Sequence, residues 1–127
     1  MQVHKIFIAI AAMLAASQAA ALNPQGFQVE NTGHLVELCS VTADDPLYSA
    51  AMGFCLGYVD AAIDYHQAMT AGDKYAPIAC PDTEVTREGL VVVFLGWSKG
   101  NAGYMGNETP VNGLMRAASA KWPCPAK

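Results

Sequence analysis

With 127 residues the chain has room for one domain and little more. Seven Lys plus Arg against eleven Asp plus Glu give a formal net charge of −4, which repels phosphate backbones and anionic lipid and argues against nucleic acid as a partner. Charged residues make up only 14% of the chain and there are three histidines, so a catalytic or cofactor site has little to build from, and neither is expected.

Residues 1–21 read as a secretory signal. His4 and Lys5 form a short positive start, and Ile6 to Ala16 is an apolar run too short to cross a hydrocarbon core, which needs about 20 residues. Small residues follow at Ser17, Ala19, Ala20 and Ala21, and cleavage after Ala21 is the first choice, with cleavage after Ala19 the alternative. Residues 22–127 then form one exported, periplasmic domain with no membrane attachment. Lys5 leaves with the signal, so six cations face eleven carboxylates and the mature charge is near −5. A basic protein surface suits such a domain better than an acidic one.

The first helix is expected from Asn31 or Thr32, either of which can cap it, to about Cys39, with Leu35, Leu38 and Cys39 on one face. Asp45 as N-cap and Pro46 at the first helical position would start the second helix, which runs to about Met69. Leu47, Ala51, Phe54, Tyr58, Ala61, Tyr65 and Ala68 step by three and four and predict its buried stripe. Gly53 and Gly57 cost this helix about 1 kcal/mol each relative to Ala, and close approach of another backbone would explain them.

Ala71-Gly72-Asp73 ends the second helix, and a connection carrying Cys80 leads to the third, with Thr86 as N-cap and Glu88 in its positive first turn. Leu90, Val93, Phe94 and Trp97 make its stripe; the period favours helix over a buried strand. Residues 100–109 form a Gly- and Asn-rich loop. Thr109-Pro110 starts the fourth helix, whose inner face is Val111, Leu114, Met115, Ala118 and Trp122, and Pro123 stops it. With no convincing strand, the expected fold is all-α, a small four-helix domain.

Cys39, Cys55, Cys80 and Cys124, in a chain with an export signal, read as a framework of two disulfides. Sequence spacings of 16, 25 and 44 residues do not resemble a zinc site, which brings ligands in close pairs. Three pairings are open. Antiparallel third and fourth helices would put Cys80 and Cys124 at one end, and Cys55 lies across a short turn from Cys39, so Cys39–Cys55 with Cys80–Cys124 is favoured.

Asp60 and Asp64, one helical turn apart with His66 close behind, could act as general acid and base or hold a cation. A solvated helix face explains them better. His34 and Glu37 read as an ordinary exposed pair, and Ser40, Ser49, Ser98 and Ser119 lack a nucleophile-elbow context. Gly103, Tyr104, Met105 and Asn107 are the candidate partner-binding residues: an aromatic on a glycine-flanked loop can insert into a groove. The other outcome weighed is a loop folded back so that Tyr104 covers the end of the bundle.

Cys39, then Phe54-Cys-Leu-Gly-Tyr-Val-Asp60, Cys80-Pro81, Val85-Thr-Arg-Glu-Gly-Leu-Val-Val-Val-Phe-Leu95 and Trp122-Pro-Cys124 occur in an order that resembles the Rap/Tai immunity proteins, antidotes to peptidoglycan amidases delivered by type VI secretion. The resemblance covers about 32–124. It implies a helical, disulfide-bonded fold, a homodimer, and a protein that fills an amidase's active-site cleft. Gly57, Tyr58, Asp60, Pro81, Thr86, Trp122 and Pro123 match recurring positions of the family and look architectural, as do the four cysteines. The function expected is therefore periplasmic inhibition of an amidase. The rival is a helical acid-stress holdase of the periplasm, which would expose apolar surface when acidified.

Overall fold

In the computed structural model, the structure describes Leu22 and residues 24–126; the expected signal at 1–21 lies outside the described residues. These contain four α-helices and no strand: α1 (Thr32–Cys39), α2 (Tyr48–Thr70), α3 (Arg87–Ser98) and α4 (Pro110–Lys121). Single 3-10 turns lie at Pro24–Phe27 and Ala102–Tyr104. The expected all-α four-helix domain is thus what forms.

The shortest helix, α1, packs against each of α2, α3 and α4, as α3 does against each of the other three. Leu35 and Leu38 on α1, Cys55 and Val59 on α2, Phe94 on α3 and Leu114 on α4 are completely buried. The Asn31 side chain accepts the His34 N–H at 2.9 Å, so Asn31 is the cap of α1. Thr86 caps α3 by accepting the Gly89 N–H at 3.1 Å, as expected.

Both disulfides pair as favoured. Cys39–Cys55 ties the end of α1 to the second turn of α2, and Cys80–Cys124 ties the connection before α3 to the residues after α4. Beside the second bridge the Cys80 N–H donates to the Trp122 carbonyl at 2.9 Å.

Several local expectations are corrected. The α2 helix begins at Tyr48, with Leu47 at the N-cap position and no side-chain bond there. Asp45 instead organises the turn before it, accepting the Leu47 N–H at 2.8 Å. The buried stripe of α2 is Ala51, Cys55, Val59 and Ala62. Phe54, Ala61, Tyr65 and Ala68 lie on exposed positions, and Tyr65 is 68% exposed. Among the described residues, Gly53 and Gly57 meet nothing within 4 Å of where a Cβ would stand, so no other element described approaches them closely.

The glycine that does permit close approach is Gly113 of α4, where a Cβ would lie 2.3 Å from Thr32. Val111, expected inside, is 39% exposed, while Gly113 and Ala117 are buried. Thr109 precedes α4 with Pro110 at its start, but its side chain makes no cap bond. Its carbonyl is used instead, accepting the Thr32 hydroxyl at 3.0 Å and the Gly113 N–H at 3.1 Å.

Candidate partner-binding surface

The first N–H groups of a helix have no partner within it and must be satisfied from outside. At α1 the loop between α3 and α4 does this. Thr32 N–H donates to the Glu108 carbonyl at 2.9 Å, and Gly33 N–H donates to the Met105 carbonyl at 2.8 Å. The Thr32 hydroxyl, fully buried, reaches the carbonyls of Glu108 and Thr109. A Cβ on Gly33 would stand 3.2 Å from the Met105 carbonyl oxygen, so the small residue lets the loop sit down on the helix end.

The loop is also closed on itself. The Asn101 amide donates to the Trp97 carbonyl at 2.8 Å, Tyr104 N–H to Asn101 at 3.1 Å, and the Asn107 amide to Gly103 at 3.3 Å. These bonds fold it back over the bundle. The Tyr104 ring stacks on Trp97, with centroids 5.7 Å apart, and the Arg116 guanidinium lies 4.5 Å from the Tyr104 centroid. Arg116 donates to Glu108 at 2.8 Å, and that hydrogen bond and charge hold its guanidinium above its ordinary pKa.

Of the two outcomes weighed for this loop, folding back is the one observed. Tyr104 nevertheless keeps 37% of its surface exposed. It forms a wall of an open depression of about 600 Å³, shared with Ile78, Trp97, Glu108, Met115 and Arg116. Gly103 and Asn107 are exposed and Met105 is half-buried; of the four candidate contact residues Tyr104 alone lines the depression. Such a surface offers aromatic area, one ion pair and amide groups, the makings of a protein contact.

The other singled-out residues lie elsewhere. Tyr58 stacks on Phe54, with centroids 6.4 Å apart, and burial pushes its hydroxyl above the usual range while the Val111 backbone hydrogen bond acts the other way. Asp60 faces Arg87 at 3.8 Å, an exposed pair. His66 accepts the Ile78 N–H at 3.0 Å, fixing the connection that follows α2. His34, expected as an exposed partner of Glu37, is half-buried and accepts the Glu30 N–H at 3.2 Å. Pro81 is exposed; with His66 and Trp122 it lines a second depression, of about 520 Å³. Pro123 is exposed just beyond α4. Among the described residues no group of three or more His, Cys, Asp or Glu side chains could hold a metal ion.

Thr32, Glu108, Gly113 and Arg116, which hold the loop in place, are residues that sequence reasoning passed over. Gly113 carried a signal: glycine inside a helix costs about 1 kcal/mol, the reasoning that was applied to Gly53 and Gly57. Nothing in the spacing of Thr32 and Glu108, 76 residues apart, shows their contact.

A family model described as Rap1a immunity proteins matches residues 31–124, which contain the whole helical body, both disulfides and the folded-back loop. No curated protein and no solved structure matches the chain.

Proposed function

Because the chain belongs to the Rap1a immunity protein family, we propose that it works in the periplasm, where it neutralises a type VI secreted peptidoglycan amidase by filling that enzyme's active-site cleft. An immunity protein acts by binding a secreted effector. The finer reading, of an amidase as that effector, rests on the resemblance to the Rap/Tai group. Two disulfides suit an oxidising compartment, and no helix among the described residues is long and apolar enough to cross a membrane.

The observation that carries the mechanism is the pinned loop. Its carbonyls are bonded to the α1 N-terminus and its aromatic ring is stacked before any partner arrives. A surface already ordered loses little conformational freedom on binding, which favours tight inhibition. Mature protein titrated into its cognate amidase should abolish hydrolysis at one equivalent of binding sites; unchanged hydrolysis at excess would reject the reading. The homodimer belongs to the same proposal, and sedimentation equilibrium of the mature protein reads it directly.

Tyr104 and its neighbours Gly103, Met105 and Asn107 are proposed as the contact. Tyr104→Ala should raise the inhibition constant by roughly 30-fold, the loss of about 2 kcal/mol that defines an interface anchor. Circular dichroism should show the helices intact, since the ring is partly exposed and outside the main core. An unaltered inhibition constant would move the contact to another face.

A further inference from the structure

The first described residue is not loose. The Leu22 backbone nitrogen donates to Asp45 Oδ2 at 3.0 Å across a sequence separation of 23, while Asp45 Oδ1 accepts the Leu47 N–H at 2.8 Å. One carboxylate thus bridges the start of the exported domain and the turn that leads into α2. The Leu22 side chain lies where a Cβ on Gly26 would clash, at 2.6 Å, and Phe27 meets Phe54 of α2 edge-on with centroids 6.1 Å apart. The 3-10 turn Pro24–Phe27 packs on α1.

We propose that proteolytic processing between Ala21 and Leu22 completes this contact by turning it into an ion pair between the new α-ammonium group of Leu22 and Asp45. A signal peptidase adds water across the Ala21–Leu22 peptide bond. The acyl half leaves as the carboxylate of Ala21, and the nitrogen of Leu22 becomes an amine that is protonated at neutral pH. A neutral N–H donor facing a carboxylate is replaced by a cation with three donors, and charge-assisted bonds are about twice as strong as neutral ones. Cleavage after Ala19 would displace the charge by two residues, up to about 7 Å of extended chain, and leave a neutral amide at Asp45. Of the two sites that the small residues of the signal permit, only cleavage after Ala21 therefore forms the ion pair with Asp45.

The inference rests on export, and its test separates the two. Intact mass of the protein purified from the periplasm should correspond to residues 22–127. An unprocessed chain confined to the cytosol would reject export itself, and a periplasmic chain beginning at any other residue would reject the clasp alone. Urea unfolding is then compared for four oxidised proteins: residues 22–127, a form keeping Ala20 and Ala21, and each with Asp45→Asn. Asn retains an oxygen for the Leu47 N–H, so the turn can persist while the charge is removed. In the form that starts at Leu22, Asp45→Asn should lower the folding equilibrium constant about two- to fivefold more than in the extended form, the span of an exposed ion pair. The same loss in both forms would overturn the ion pair.

Discussion

Removing both disulfides should leave the mature domain largely unfolded at room temperature. In the chain-entropy picture a crosslink stabilises by restricting the unfolded chain, and the separations of 16 and 44 residues correspond to about 3 and about 4 kcal/mol. Their sum is comparable with the whole stability of a small domain, about 5–15 kcal/mol. The two bridges should differ in kind. Cys39 and Cys55 are core residues, 4% and 0% exposed, so replacing both by Ala adds a cavity to the lost crosslink. Cys80 and Cys124 sit half-buried at the rim, where the loop effect dominates. Urea titrations of the oxidised protein, each double-Ala variant and the reduced protein measure these terms. A reduced protein with the midpoint of the oxidised one would refute the account. Reduction should also abolish inhibition of the effector, because the ordered surface disperses with the fold.

Gly113→Ala should destabilise the domain by about 1–3 kcal/mol, as overpacking of a buried contact does, despite placing a better helix former in α4. The new methyl group would lie 2.3 Å from both Thr32 Oγ1 and Cγ2. Thr32 cannot swing clear: it is fully buried, β-branched, and bonded through its hydroxyl to Glu108 and Thr109. Displacing it disturbs the N–H groups that hold the loop, so binding should weaken along with stability. Thr32→Ala alone should cost about 1 kcal/mol or somewhat more for its buried hydrogen bonds. Combined with Gly113→Ala it removes the two 2.3 Å contacts and leaves only the Cβ of residue 32, 2.8 Å from the new methyl group, so the double variant should be more stable than the sum of single effects implies. Strict additivity in a double-mutant cycle would show that the contact between these residues is not the cause.

Helix existence was legible because punctuation was strong: Thr86 as a cap, Pro110 at a helix start, Ala71-Gly72 at an end. The rotation of α2 was not. So much of this helix is Ala, Gly and aromatic that two stripes satisfy helical spacing, one through Phe54 and Tyr58 and one through Cys55 and Val59. The cysteine held the answer. If Cys55 pairs with Cys39 on α1, its face must be the inner one, and Val59 and Ala62 follow one and two turns later. The α4 stripe missed Gly113 for a related reason: a residue without a side chain is invisible to hydrophobic periodicity, yet marks where α4 meets Thr32 of α1 too closely for a Cβ.

By itself the amino-acid sequence determined the all-helical class, the cap of α3 and the family likeness, and narrowed the α1 cap to Asn31 or Thr32 and the disulfides to a favoured pairing, because these depend on local chemistry and on the order of residues along the chain. Which face each helix buries, and whether Tyr104 projects or lies back on Trp97, was decided only by the assembled tertiary structure. Those outcomes turn on partners far apart in sequence: the unpaired N–H groups of Thr32 and Gly33 needed acceptors, and the carbonyls of Glu108 and Met105 were brought to them by the packing of α1 against α4.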